Sequence, residues 1–187
     1  MEKVLYIIGG ANGSGKTTIA KELLKNIKLE FVNADEIAKD ISPQSLEKAR
    51  VQAGKIAINK INKLIEQQKS FCIESTLSGN FLVKIIKKAK EFNYKIKLIY
   101  VFLESYNECI TRVKTRVIKG GHNVEENEII RRYSRSKNNF WFLYKDIVNE
   151  YEVYYNNCEY PVLVFKTNLE IYENELFIKF KKDLKNE

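Results

Sequence analysis

Cysteine, histidine and long apolar runs are scarce in this sequence. The three cysteines, Cys72, Cys109 and Cys158, are far apart and lack metal-ligand spacing, which indicates a reducing compartment and buried thiols. No stretch approaches the roughly 20 apolar residues that a membrane helix needs. The first ten residues, MEKVLYIIGG, differ from a signal peptide because their apolar run is short and ends in glycines. We therefore expect a cytoplasmic protein without a membrane partner.

The chain also lacks internal repeats, low-complexity tails and linkers rich in Pro, Gly and Ser. Its 187 residues are therefore predicted to form a single domain, residues 1–187. The formal net charge of +8 favours an anionic partner.

Apolar runs alternate with helical patterns along the chain, which is typical of a parallel sheet with crossover helices. Strands are predicted at residues 3–9, 29–33, 71–73, 96–103 and 160–167. Helices are predicted at residues 17–26, 44–68, 81–92, 106–118, 126–149 and 172–185. The predicted fold is α/β, with a doubly wound parallel sheet flanked by helices.

Between the first predicted strand and the first helix lies GANGSGKT, residues 10–17, which fits the P-loop pattern G-x-x-x-x-G-K-[ST]. Its glycines let backbone N–H groups point at an anion, and the following helix adds its positive N-terminal end. Lys16 can reach the β- and γ-phosphates, and the Thr17 hydroxyl can ligate Mg²⁺. The predicted ATP-binding residues are Gly10, Ala11, Asn12, Gly13, Ser14, Gly15, Lys16, Thr17 and Thr18. The fold is therefore expected to be that of a P-loop NTPase or kinase.

Two other P-loop classes lack their further signatures in this chain. A GTPase reads guanine with Asn-Lys-x-Asp, and the nearest match, NKIN at residues 59–62, lacks the aspartate. A transporter-type ATPase carries a signature that begins Leu-Ser-Gly-Gly-Gln, whereas residues 77–81 read LSGNF. A small-molecule kinase fits better.

Acidic residues follow two predicted strands, at the sheet edge where ligands of such folds bind. Asp35 follows the second strand, where it could orient an acceptor hydroxyl and accept its proton. Glu74 follows the third strand and precedes three hydroxyl residues, including Thr76, a set suited to a polar acceptor or to Mg²⁺-bound water. The structural alternatives are that Asp35 caps the helix it precedes and that Glu74 forms a salt bridge.

Cations concentrate at residues 112–137, a segment that we call the lid. Its eight cationic residues are Arg112, Lys114, Arg116, Lys119, Arg131, Arg132, Arg135 and Lys137. Its three acidic residues are Glu125, Glu126 and Glu128. The difference, 8 − 3, gives +5 of the chain's +8. Arg112 and Arg116 share a helical face, as do Arg131 and Arg135. Because arginine forks bind phosphate oxygens at two points, these faces are predicted to close on the transferred phosphoryl group, with a solvated helix surface as the alternative.

The turn of the lid, residues 119–128, contains Gly120 and Gly121, interpreted as a hinge. His122 follows them and is the one histidine of the chain. It has no cysteine or carboxylate at metal-ligand spacing, so we interpret it as a residue of the lid turn.

With these motifs the chain resembles the zeta-toxin-like family of P-loop kinases, most of all its short branch often called "predicted ATPase". Four blocks carry the resemblance: GGANGSGKTT, FVNADEIAKDISP, FCIESTLSG and RVKTRVIKGGHNVEENEIIRRYSRSKNNF. A weaker fifth is YEVYYNN, and the resemblance extends from residue 4 to about residue 165. The P-loop block is shared by many NTPases, whereas the lid block is specific.

The resemblance implies ATP-dependent phosphorylation of a small hydroxylated acceptor, which in characterised zeta toxins is a UDP-N-acetylamino sugar. The family's P-loop lysine falls on Lys16, its catalytic carboxylate on Asp35 and its acceptor-placing glutamate on Glu74. Its phosphate-sensing lid arginines fall on Arg116 and on Arg131 or Arg132.

The family resemblance also implies an antitoxin protein as a partner. The chain departs from the family at Glu125, where proline is usual, and lacks the long substrate-side extensions of the full toxins. These departures bear on the UDP-sugar acceptor more than on the kinase chemistry.

We therefore predict a kinase that uses Mg²⁺ and ATP and phosphorylates an alcohol acceptor. The predicted catalytic residues are Lys16, Asp35, Arg116, Arg131 and Arg132, and the predicted acceptor contacts are Asp35, Glu74 and Thr76. A polynucleotide 5′-kinase is an alternative that the net charge favours, but we find no aromatic-basic stripe for stacking bases and expect no nucleic-acid partner. The other alternative is a nucleotide-binding regulatory or toxin module with little turnover.

Overall fold

The computed structural model describes residues 2–26, 29–42 and 46–185, which contain a seven-stranded mixed sheet flanked by helices. The strands are β1 (Val4–Gly9), β2 (Glu30–Asn33), β3 (Phe71–Ser75), β4 (Lys95–Phe102), β5 (Glu150–Tyr155), β6 (Val162–Lys166) and β7 (Glu170–Ile171). The helices are α1 (Lys16–Asn26), α2 (Ala34–Ile41), α3 (Leu46–Glu66), α4 (Phe81–Glu91), α5 (Tyr106–Ile118), α6 (Glu126–Asn139), α7 (Lys145–Ile147) and α8 (Asn174–Lys181). A π-helical stretch, Phe140–Tyr144, joins α6 to α7, and a 3₁₀ turn, Thr167–Leu169, precedes β7.

The strand order is β2-β3-β1-β4-β5-β6-β7, and the first five strands are parallel. β1 lies between β3 and β4 and is almost entirely apolar, as expected of a strand covered on both faces. The register pairs Ile8 with Glu74, and Glu74 in turn with Asn33. The carboxyl ends of β1, β2 and β3 therefore meet at one edge of the sheet, next to the P-loop.

The predicted α/β fold with a helix-flanked sheet is confirmed, and the sheet differs from the prediction at one side. The last predicted strand, residues 160–167, is β6 and runs antiparallel to β5, as β7 runs antiparallel to β6. β5 occupies residues directly after the predicted 126–149 helix and shows a two-residue period, with Tyr151, Val153 and Tyr155 buried.

The helices also differ in places from the prediction. α2 is not among the helices given bounds from the sequence, and the Asn33 side chain caps its first turn. The start of the predicted 44–68 helix lies outside the described residues, and α3 begins at Leu46. The predicted 126–149 helix is divided into α6, the π-helical stretch and α7.

An aromatic cluster on one face of the sheet packs α8 and the π-helical stretch against the strands. Phe180 of α8 is fully buried, with ring centroids 5.1 Å from Phe102 and 5.2 Å from Phe165. Phe140 of the π-helical stretch stacks on Tyr100 of β4 at 4.5 Å. This burial joins the antiparallel side of the sheet to its parallel centre.

In the described part of the chain, no helix has the length and apolar character needed to cross a lipid bilayer.

Phe180→Ala is expected to lower the free energy of unfolding by about 3–5 kcal/mol, because it removes a buried aromatic ring and leaves a cavity. Urea unfolding followed by circular dichroism measures the change. Ile178→Ala, on the same helix but at a side chain 60% exposed, is the control and should stay within about 0.5 kcal/mol of the parent protein. Equal losses for both variants would contradict the packing described for α8.

Candidate active site

The P-loop, residues 10–15, connects β1 to α1 and approaches two other elements closely. Gly13 has φ +81°, and a Cβ at this position would lie 2.5 Å from the Cys109 carbonyl oxygen of α5. A Cβ at Gly15, where φ is +94°, would collide with the Asn156 side-chain amide. Glycine is therefore required where the loop meets the base of the lid and the end of β5.

Two buried donors beside the P-loop lack hydrogen-bond partners among the residues that the structure describes. These are the Ser14 hydroxyl, which is fully buried, and the Arg116 Nε. Unpaired buried polar atoms are unusual in proteins. Arg116 lines the cavity beside the loop, where it and the N-terminus of α1 are suited to phosphate oxygens, whereas Ser14 does not line that cavity.

Lys16 is almost completely buried behind the loop, with 6% of the residue exposed. Its Nζ donates to the Ala11 carbonyl oxygen at 2.8 Å and lies 4.0 Å from Glu74 Oε1. Burial lowers the pKa of Lys16, and the nearby carboxylates of Glu74 and Asp35 oppose that shift. The lysine is thus held at the site by one carbonyl and one carboxylate.

Glu74, at the end of β3, accepts hydrogen bonds from two other elements. The Thr17 hydroxyl donates to its Oε2 at 2.9 Å, and Asn33 Nδ2 donates to the same oxygen at 3.0 Å. Burial raises the pKa of Glu74, while Lys16 and the Thr17 hydrogen bond oppose the rise. The salt bridge weighed as an alternative role for Glu74 is present, because Lys16 is within ion-pair distance.

The donor set near Thr17 fits Mg²⁺. In phosphate sites this ion takes one or two side-chain oxygens, keeps several waters and completes its shell with phosphates. The Thr17 hydroxyl and the Glu74 carboxylate offer hard oxygen ligands side by side at the end of the P-loop.

Asp35 lies in the first turn of α2, and it is not the cap of that helix. Asn33 is the N-cap, because its Oδ1 accepts hydrogen bonds from the backbone N–H of Asp35 at 2.8 Å and of Glu36 at 3.3 Å. The Asp35 side chain is 47% exposed and faces the lid, with Oδ2 3.6 Å from His122 Nε2. Its carboxylate is therefore not used in capping and is accessible from the cavity described below.

The first arginine-bearing face of the lid turns toward the site. α5 begins with a capping box at Ser105, and its Arg112 and Arg116 both line the same cavity as the P-loop. Arg116 donates to the His122 carbonyl oxygen at 2.9 Å. Burial lowers the pKa of Arg116, an effect that Asp35 and Glu74 oppose.

The second predicted face, Arg131 and Arg135, is exposed, whereas the neighbouring Arg132 of α6 turns toward the P-loop. Arg132 lies 3.4 Å from Asn12 Oδ1 through its NH1 and pairs with Glu128 at 3.0 Å, and it lines a cavity that Asp35 also lines. Arg131 is 47% exposed and makes two hydrogen bonds to Glu128, at 3.0 and 2.9 Å. The structure thus brings Arg116 and Arg132 to the site and leaves Arg131 at the outer surface.

Lys137 is a correction to the predicted lid cations. It is 2% exposed and packs in the core, with its Nζ 3.3 Å from Asp183 Oδ2 and 5.1 Å from the centre of the Phe180 ring. Its ammonium group therefore faces the C-terminal segment and not the nucleotide side.

Two neighbouring cavities share one wall. The larger, of about 410 Å³, is lined by the P-loop and α1 together with Arg112, Arg116, His122 and Asn156. The smaller, of about 220 Å³, is lined on its far side by Thr76, Ser78, Phe81 and Arg132. Lys16, Asn33, Asp35 and Glu74 line both. Thr76 and Ser78 share a hydrogen bond of 2.9 Å between their hydroxyls.

Two residues of this site, Asn33 and Asn156, received no role from the sequence. Asn33 orders Asp35 and Glu74, and Asn156 Nδ2 donates to the Ser14 carbonyl oxygen at 2.8 Å. Arg112 fixes the backbone of Asn156 by donating to its carbonyl oxygen at 2.5 Å, and His122 approaches Asp35. The available signal was position, since Asn33 and Asn156 each stand at the carboxyl end of a parallel strand.

Two curated proteins are similar in sequence to this chain. A Haemophilus influenzae protein described as uncharacterized is 36% identical over 124 residues, covering 66% of this chain and 88% of that protein. A cytidylate kinase from Sulfurisphaera tokodaii is 28% identical over 104 residues, covering 51% of this chain and 58% of the kinase.

Solved structures show the same fold at low sequence identity. The AvrRxo1-ORF1:AvrRxo1-ORF2 complex with ATP matches with a TM-score of 0.80 and 16% identity, covering 99% of this chain and 65% of that one. The PezAT chromosomal toxin-antitoxin system of Streptococcus pneumoniae matches with a TM-score of 0.68 and 18% identity, covering 100% of this chain and 80% of that one. This chain thus spans just under two thirds of the AvrRxo1 chain.

One family model covers nearly the whole chain. The model described as Zeta toxin matches residues 1–170, which include the P-loop, Asp35, Glu74 and the entire lid. The chain therefore belongs to the zeta toxin family.

Proposed function

We propose that this protein transfers the γ-phosphoryl group of ATP to a hydroxyl of a small acceptor. The observation that carries the proposal is the wall shared by the two cavities, because Lys16, Asp35 and Glu74 border both. A donor on the P-loop side and an acceptor on the Thr76 side would meet at these three residues. Family membership and the ATP complex of a structural neighbour support the same reaction.

On the donor side, the loop would hold the phosphates through its backbone N–H groups and the Lys16 ammonium. Asn156 steadies the loop by binding the Ser14 carbonyl oxygen. Mg²⁺ held by Thr17, with Glu74 beside it, would supply charge neutralisation of the phosphates when bound.

On the acceptor side, the Asp35 carboxylate would orient the acceptor hydroxyl and accept its proton. The Glu74 carboxylate already accepts hydrogen bonds from Thr17 and Asn33. The Asp35 carboxylate is therefore the more accessible of the two. Arg116 and Arg132 would stabilise the charge that develops on the transferred group. Closure of the lid would exclude water, whose attack would hydrolyse ATP without transfer.

The acceptor that we propose is a UDP-N-acetylamino sugar, the class implied by the family. The lining of the smaller cavity suits a sugar, because the Thr76 and Ser78 hydroxyls can bind sugar hydroxyls and the Phe81 ring can pack against the sugar ring. Phe81 is 49% exposed. An antitoxin protein is the partner that we propose from the family and from the PezAT neighbour.

Purified protein incubated with Mg²⁺-ATP and a set of UDP-sugars is expected to add the mass of one phosphate to an acceptor. Lys16→Ala should abolish the product, because the loop then lacks the cation that faces the γ-phosphate. Lys25→Ala is the control, since Lys25 lies on α1 with its side chain 68% exposed. A 5′-hydroxyl oligonucleotide in the same set separates a polynucleotide kinase from a sugar kinase. ATP binding without any transfer would contradict the proposed function.

Asp35→Asn is expected to lower the transfer rate about 10²- to 10⁴-fold, because an amide cannot accept the hydroxyl proton. Affinity for ATP, measured by isothermal titration calorimetry, should change little because Asp35 does not belong to the loop. Asp40→Asn, an exposed position of the same helix, should behave as the parent protein. A rate unchanged in Asp35→Asn would remove the carboxylate from the proposed mechanism.

The buried Glu74 carboxylate should make stability depend on pH. Because the pKa of Glu74 is raised in the folded protein above its usual 4.5, the unfolded chain loses this proton first as pH rises. The stabilisation from Glu74 is therefore complete below pH 4.5 and is lost as pH rises through the folded pKa. The difference in Tm between Glu74→Gln and the parent should become more positive from pH 4.5 upward, which scanning calorimetry measures. A difference independent of pH would contradict this assignment.

A further inference from the structure

His122 touches two groups of opposite charge that the proposed reaction uses. Its Nε2 lies 3.6 Å from Asp35 Oδ2 and 3.3 Å from an NH2 nitrogen of Arg116. Although it belongs to a turn, its side chain is only 10% exposed. The ring thus fills the space between the lid and the first turn of α2.

The end of α5 holds His122 in this place. Gly120, with φ +80°, donates its N–H to the Val117 carbonyl oxygen, and Gly121 donates to the Arg116 carbonyl oxygen, both at 2.9 Å. These two bonds form a Schellman motif, which turns the chain back over the last turn of the helix. A Cβ at Gly121 would lie 2.9 Å from the Arg116 carbonyl oxygen and collide with the arginine side chain. The two glycines were predicted to form a hinge, and in the structure they end α5.

Arg116 braces His122 at two points. The same guanidinium nitrogen that lies near the ring also donates to the His122 carbonyl oxygen at 2.9 Å. Arg116 therefore contacts both the backbone and the ring of His122, and the ring in turn lies near Asp35. A displacement of the turn would move all three groups together.

Arg116 and Asp35 make no direct ion pair in the described residues, although each attracts the other. An arginine fork and a carboxylate pair bidentately when they can reach each other. Such a pair would occupy the carboxylate that the acceptor needs and the guanidinium that the phosphoryl group needs. One ring atom, Nε2, is near both groups, and it accepts from Arg116 when it carries no proton or donates to Asp35 when it carries one.

We propose that His122 is a positioning residue that holds Arg116 and Asp35 side by side and keeps them from pairing with each other. The proposal rests on the proposed kinase function. The carboxylate then remains available to the acceptor hydroxyl, and the guanidinium remains available to the transferred phosphoryl group. The lid turn becomes the element that sets the distance between the two halves of the reaction.

His122→Ala is expected to lower kcat on the order of 10²-fold, because a displacement of the reacting groups by about 1 Å can slow a reaction by that factor. KM for ATP should change less than kcat, since the P-loop itself is untouched although His122 lines the donor cavity. His122→Gln should recover most of kcat, because its amide offers an acceptor for Arg116 and a donor for Asp35. Asn123→Ala, at the exposed next residue, is the control. Equal kcat in His122→Ala and the parent, or failure of His122→Gln to recover rate, overturns the proposal.

A second measurement does not depend on activity. Since His122 is the single histidine of the chain, its imidazole NMR signals need no assignment. Asp35→Asn should shift them, whereas Asp40→Asn should not. Unshifted signals in Asp35→Asn overturn the positioning role. A third outcome separates the two proposals. If Asp35→Asn shifts the imidazole signals but the parent protein transfers no phosphate to any acceptor, the proposed kinase function is overturned and the His122–Asp35 contact is supported.

Discussion

Two opposite charges, Lys16 and Glu74, lie almost out of solvent where the central strands end, with side chains 7% and 10% exposed. Burial lowers the pKa of Lys16 and raises the pKa of Glu74, which favours the neutral form of each. The charge of each residue opposes the shift in the other. Removing one partner from such a pair leaves an uncompensated buried charge. The donors Thr17 and Asn33 complete the arrangement, so α1, β2 and β3 are all fixed relative to one another by a single carboxylate.

Local sequence was sufficient to predict the P-loop, because its function depends on spacing within eight residues. It also predicted that Asp35 would stand at the sheet edge, since the end of a strand can be recognised from the strand itself. The partners of Glu74 could not be predicted, because Asn33 meets it only through the register of β2 against β3. The choice between Arg131 and Arg132 also required tertiary structure, since adjacent residues of a helix point about 100° apart.

The antiparallel side of the sheet was harder to predict for a related reason. Residues 140–144 keep a helical pattern, but they widen into a π-helical stretch that inserts Phe140 and Tyr144 into the core. β5 follows at Glu150, almost without a loop, so the change from helical period to strand period has no glycine or proline to mark it. The sheet order depends on β5, and with it the position of Asn156 beside the P-loop.

The close approach of Gly13 to the backbone of α5 joins the P-loop directly to the helix that carries Arg116. Because no side chain separates Gly13 from Cys109, a shift of the phosphate-binding loop would press directly on the first turns of α5. Arg116 lies about two turns further along the same helix, roughly 10 Å away at 1.5 Å per residue. Phosphates that tighten the loop would therefore act on a stiff lever whose far end carries the arginine. The first helix of the lid is in that sense an extension of the P-loop.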